Sequence, residues 1–133
     1  MAAGLTALQG DRFTAYIAQM RPQDILTPQP EGLFCKPGGF HIDPVRPVAR
    51  ALITHGHSDH ARAGHGAVLA TRETLDLMAL RYGGNFAGST QAVGYGEALG
   101  LGEVTVSFHP AGHVLGSAQI LVSCGGKRIV ASG

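Results

Sequence analysis

The sequence has 133 residues, enough for one domain with a modest core. Its 44% hydrophobic and 14% charged residues exclude a disordered chain, and a net charge of +1 lacks the basic excess of a dedicated nucleic-acid module. No apolar run approaches the roughly 20 residues that span a bilayer, and Met1–Gly10 lacks the basic and apolar regions of a secretory signal, so a cytoplasmic protein off the membrane is expected.

Taken in chain order, Phe13, Ile17 and Met20 stand at helical spacing and predict a short helix over Asp11–Met20. Asp24–Pro30 is proline-rich and reads as a loop or an extended segment. Gly32–Cys35 and Phe40–Asp43 flank Lys36-Pro37-Gly38-Gly39, the pattern of a hairpin. Ala49–Thr54 is a short apolar run that predicts a buried strand, and Ala67–Ala70 predicts another. Thr71–Arg81 reads as the best helix, with Thr71 as its N-cap and Gly83-Gly84 at its end. Strands are expected over Gln91–Tyr95, Val104–Phe108, Ala118–Ser123 and Lys127–Ala131, the last two joined by a turn at Cys124–Lys127. Twenty glycines agree with many turns. The order predicts a layered α/β arrangement, with no internal repeat.

Four potential metal ligands fall within six residues, His55-Gly56-His57-Ser58-Asp59-His60. His55 and His57, two apart at the end of an extended segment, can face one cation together. Asp59 and His60 follow where the chain is expected to turn into a helix, and can address a second cation. Imidazole suits zinc, and a carboxylate tolerates zinc or manganese, so two divalent ions are expected, with zinc preferred and manganese the alternative. Two cations about 3.5–4 Å apart would activate a water as hydroxide for hydrolysis. The first ion needs a further ligand, and His113 in Pro110-Ala111-Gly112-His113-Val114-Leu115-Gly116-Ser117-Ala118 follows a predicted strand in a glycine-flanked turn that can supply it.

The pair HxHxDH and AGHVLGSA resembles the β-CASP nuclease branch of the metallo-β-lactamase superfamily. Gly32–Asp43, Pro44-Val45-Arg46-Pro47 and Thr54–Arg62 are similar to one bacterial subgroup, the ligase-associated DNA exonucleases, often labelled mRNA 3′-end processing factors. The resemblance covers Gly32 to Gly133. It implies the N-terminal half of a metallo-β-lactamase αββα sandwich with a mixed sheet, as a single partial domain over residues 1–133. It also implies a nuclease that cleaves DNA or RNA through a dinuclear metal-activated hydroxide, as an exonuclease in DNA repair, with a DNA ligase or repair factor as partner. By the same resemblance His55, His57 and His113 bind the first metal, Asp59 and His60 the second, and Asp59 is the proton acceptor. Asp43 would orient the loop or a ligating histidine without binding metal itself. In that branch an aspartate bridging both metals follows a Ser-Gly or Thr-Gly pair. Here the sequence reaches Ser132-Gly133 and stops, and the β-CASP insertion and the second half of the sandwich do not appear. A fragment inactive on its own is therefore expected.

Other residues read more plainly. His41, His65 and His109 are expected to be structural or loop histidines, with substrate contact possible for His65. Arg46 and Arg62 are candidates for phosphate contact. Cys35 and Cys124, outside any CxxC pattern, read as reduced, buried thiols. HxHxDH is shared with thioesterases of the glyoxalase II type, which form the alternative enzyme class, and a non-catalytic metal-binding fragment is the alternative outside enzymes.

Overall fold

Strand alternation assigns each side chain to a layer. The computed structural model describes residues 21–133, so the helix expected over Asp11–Met20 lies outside the described residues. A short helix α1 (Pro22–Ile25) leads into β1 (Leu26–Pro28), β2 (Leu33–Cys35), β3 (Phe40–Ile42), β4 (Arg50–Leu52) and β5 (Ala67–Ala70). Helix α2 (Arg72–Tyr82) follows, then β6 (Ser89–Ala92), β7 (Leu99–Leu101), β8 (Val104–Pro110), β9 (Ala118–Cys124) and β10 (Lys127–Ala131). The first six strands form one mixed sheet in chain order, antiparallel across β1–β2–β3 and parallel across β3–β4–β5–β6. The last four form an antiparallel sheet in the order β10-β9-β8-β7.

Leu52 and Leu69 point between the sheets, where they meet Phe40, Val106, Phe108, Ile120 and Val122. Their neighbours Ala51, Ile53, Val68 and Ala70 point the other way, into a second cluster with Leu75, Met78 and Phe86. Beyond the exposed Arg50 at the start of β4, both faces of β4 and β5 are therefore covered, which is why the rest of these strands is apolar, as in parallel strands covered on both sides. The described layers run helix, mixed sheet, antiparallel sheet. Cys35 and Cys124 are free and buried in the core between the sheets.

Several expected elements are displaced. β6 covers Ser89–Ala92 instead of 91–95, because this polar stretch pairs with β5 as an edge strand. β7, three residues long and centred on Gly100, carries no alternation that sequence could register. Asp24–Pro30 contributes both a turn of helix and β1. The strand at 49–54 ends at Leu52, since the Thr54 N–H leaves the ladder to bond Asp43 Oδ1 at 2.7 Å. After the histidine cluster there is one turn, closed by His60 N–H and Ala61 N–H to the His57 carbonyl, and no helix follows. Gly64, at φ +102, already sends the backbone back toward the sheet.

His65 is buried at 1% exposure. Its Nδ1 accepts the Val48 N–H at 3.2 Å, and among the described residues its Nε2 has no partner. Burial, with His41 nearby, pushes this ring below its ordinary value of 6.5. The folded state thus holds His65 neutral, while the unfolded chain takes up the proton first. Its contribution to stability is complete above about pH 6.5 and is lost as pH falls through the depressed value. Urea midpoints measured from pH 7.5 to 5 are expected to fall less steeply in His65→Asn, whose amide oxygen still accepts from Val48. An unchanged slope would assign the acid loss to other groups.

Candidate metal centre

Ligand sites in parallel sheets form beyond the carboxyl ends of the strands, where backbone and loops leave the ladder. Asp43 follows β3 and His55 follows β4, and both lie at that edge. His113 arrives from the other sheet, on the loop between β8 and β9. His113 Nε2 stands 3.2 Å from His57 Nδ1, across 56 residues of sequence. His55 packs edge-on against both, with ring centroids 4.9 Å from each. One donor nitrogen from each of His55, His57 and His113 lies within 4.8 Å of the other two.

Asp43 organises the histidines behind this cluster. Its carboxylate accepts the Thr54 N–H at 2.7 Å, the Thr54 hydroxyl at 2.5 Å and His60 Nδ1–H at 2.8 Å. The Thr54 hydroxyl has one proton and gives it to Asp43, so its oxygen accepts from His55 Nδ1–H at 2.9 Å. Both His55 and His60 are thereby held as the tautomer with the proton on Nδ1, which leaves each Nε2 bare. Burial, then the neighbouring His60, push His55 below its ordinary value, against the pull of Asp43. A neutral ring is what a metal requires. Asp43 itself adopts φ +47, a left-handed conformation that aspartate tolerates. Asp43, His55 and His60 also lie close enough to form a second donor group. Three hydrogen bonds already occupy that carboxylate.

Asp59 is 72% exposed and, among the described residues, reaches only His60, with Oδ2 3.5 Å from Nε2. A second cation would find these two donors beside the histidine trio, the His60 ring lying 4.2 Å from that of His55. The donor set fits zinc: two nitrogens on one tetrahedral zinc are about 3.3 Å apart, and the His57–His113 pair stands at 3.2 Å.

Two further residues shape the surroundings of His55: Thr54, to which the sequence assigned no role, and Gly133, noted there only as part of the Ser132-Gly133 pair. Thr54 relays Asp43 to His55, and its only signal is a hydroxyl next to the first histidine. Gly133 closes against the same ring, where a Cβ would overlap Thr54 Oγ1 and stand 2.8 Å from His55 Nδ1. The other histidines stay apart from the cluster. His41 bonds Gln29 Oε1 at 3.1 Å and stacks on Phe34, and His109 bonds Ser107 Oγ at 2.8 Å on the antiparallel sheet. His65 is buried away from both donor groups. Arg46 and Arg62 are exposed. Among the described residues no helix is long and apolar enough to cross a membrane.

Two packed sheets, a helix against the mixed one, and histidines gathered at the strand ends constitute a metallo-β-lactamase fold. A motif variant of a metallo-β-lactamase from Cronobacter sakazakii shares it, with a TM-score of 0.53 and 19% identity over 79% of this chain and 54% of that one. A protein of unknown function from Enterococcus faecalis V583 gives a TM-score of 0.52 at 20% identity, over 63% of this chain and 24% of that one. No family model matches the sequence. Among curated proteins the chain is 35% identical over 94 residues to a probable DNA ligase from Opitutus terrae, covering 71% of this chain and 9% of the ligase. It is also 35% identical over 118 residues to a ribonuclease from Thermus thermophilus, covering 71% of this chain and 27% of the ribonuclease. The chain thus spans a small part of each relative.

Proposed function

We propose that this chain carries the metal-binding part of a nuclease, a hydrolase of phosphodiester bonds in DNA or RNA that works with two divalent cations, zinc or manganese. The observation that carries this reading is the convergence of His55, His57 and His113 from two sheets, with donor nitrogens within 4.8 Å of one another. The names of the two curated relatives, a DNA ligase and a ribonuclease, favour nucleic acid as the substrate. The match to a small stretch of a ligase favours a role beside DNA ligation, as a repair exonuclease of the β-CASP branch.

In this reading His55, His57 and His113 hold the first cation, and Asp59 and His60 the second. Bound cations supply Lewis acidity toward the phosphoryl oxygen and make water acidic enough to attack at neutral pH. The chain's own groups do the rest. Asp43 and Thr54 hold His55 and His60 in the tautomer that presents Nε2. The Asp59 carboxylate, 72% exposed, would accept a proton from the attacking water.

The test is a nuclease assay of the full-length protein, with zinc and with manganese, on single- and double-stranded DNA and on RNA, and with a thioester as the competing substrate. Asp59→Ala is expected to lower phosphodiester hydrolysis by about 10²–10⁴-fold, the usual contribution of a positioned proton acceptor. Equal activity in the variant would remove Asp59 from its role. Turnover of the thioester alone would move the protein to the glyoxalase II-like class.

A further inference from the structure

His113 sits on an exposed loop between two glycines in left-handed conformations, Gly112 at φ +70 and Gly116 at φ +77. Such a loop does not fix a side chain by itself. Inside the loop, Ser117 Oγ accepts the His113 N–H at 3.0 Å and the Val114 N–H at 3.2 Å. These bonds shape the turn, and its exit is held to the sheet that carries His55 and His57 by the Ala118 N–H, which donates to the Thr54 carbonyl at 2.7 Å, and by the Tyr95 hydroxyl, which donates to the Ser117 carbonyl at 2.9 Å.

Helix α2 adds a separate tether, one residue closer to His113, at Gly116. Thr71 and Thr74 are 3% and 0% exposed. The Thr71 hydroxyl donates to the Gly116 carbonyl at 2.7 Å, and Thr74 reaches the same oxygen at 3.3 Å. Thr71 Oγ1 also accepts the Thr74 N–H at 3.3 Å, as the N-cap of α2. One side chain thus caps the helix and ties down the loop. Gly116 lies so close that a Cβ there would stand 2.7 Å from both Thr71 Oγ1 and Glu73 Cβ. Helix α2 packs on β4 and β5 through Leu75 and Met78, so the tether runs from the sheet that positions His55 and His57 to the loop that carries His113.

We propose that Thr71 is a positioning residue for the metal centre: its hydroxyl, bonded to the Gly116 carbonyl, holds the His113 loop where one cation engages His113 together with His55 and His57. This rests on the metal-binding reading above and extends it to a residue outside the donor set. Thr71 touches neither cation nor substrate, and acts through Gly116.

Substitutions separate its two tasks. Thr71→Ser keeps both. Thr71→Asp still caps the helix but has no proton for the Gly116 carbonyl. Thr71→Val loses cap and tether together. Cobalt(II) and zinc(II) affinities are measured by chelator competition, with the cobalt visible spectrum reporting the number of ligands and circular dichroism reporting the fold. Thr71→Asp and Thr71→Val are expected to bind about 10–100-fold more weakly, the usual cost of losing a supporting contact, with a cobalt spectrum altered toward that of His113→Ala. Thr71→Ser is expected to behave as the parent. In a His113→Ala background the Thr71 substitutions are expected to change affinity no further, because the loop then carries no ligand. Unchanged affinity in Thr71→Asp, or an equal loss with and without His113, would overturn the positioning role while leaving the metal site in place. A parent protein that binds neither metal would overturn the metal reading and this inference with it.

Discussion

His113→Ala is expected to cause the largest loss of metal affinity for the smallest loss of stability. His113 is exposed, and its side chain makes one hydrogen-bonding contact, to His57 at 3.2 Å. Truncating it removes almost no buried surface, so the urea midpoint should move within about 0.5 kcal/mol, as for surface substitutions away from special features. The first cation, however, loses one of three imidazoles. Removing a direct ligand is expected to cost more than the about 10–100-fold typical of a supporting contact. Chelator competition with zinc, paired with urea denaturation of the metal-free protein, checks both halves. Unaltered zinc binding would show that the convergence of the three histidines is packing and not ligation.

Asp43→Ala is expected to act on both quantities. The carboxylate is 11% exposed and accepts three hydrogen bonds. Its loss strands the Thr54 N–H, the Thr54 hydroxyl and His60 Nδ1–H, and each unpartnered buried donor costs about 1–3 kcal/mol. Alanine is also disfavoured at φ +47. A loss of about 2–4 kcal/mol in metal-free stability is expected, since part of the strain relaxes. Asp43→Asn separates the effects. Asparagine tolerates the left-handed backbone and keeps one oxygen, so stability should fall less. Its amide protons oppose one of the present donors, so His55 or His60 is expected to change tautomer and metal affinity to fall. Imidazole nitrogen shifts in ¹⁵N-labelled protein report the tautomers directly. Retained shifts in Asp43→Asn would show that Thr54 and the backbone alone hold the rings.

Much of the scaffold was legible in local patterns. The Thr71 cap with the run to Tyr82, the hairpin around Lys36–Gly39 and the turn before Lys127 each depend on neighbours within a few residues. The layered α/β reading agrees with the observed fold and with its mixed sheet. β6 and β7 were harder, because an edge strand of Ser, Thr and Gln and a three-residue strand centred on glycine carry little hydrophobic period.

The sequence by itself determined the candidate donors. His55, His57, Asp59 and His60 are adjacent through covalent connectivity, and AGHVLGSA marks His113 by its glycines. Only the tertiary structure decided how these groups meet. It brings His113 Nε2 to His57 Nδ1, joins Asp43 to Thr54 beside His55, and ties Gly116 to Thr71, over separations of 56, 11 and 45 residues. Hydrophobic periodicity states which face of a strand is buried but not which strand lies beside it. The contacts that tune a histidine's tautomer and the reach of a loop depend on that second choice, made when two sheets and a helix pack together.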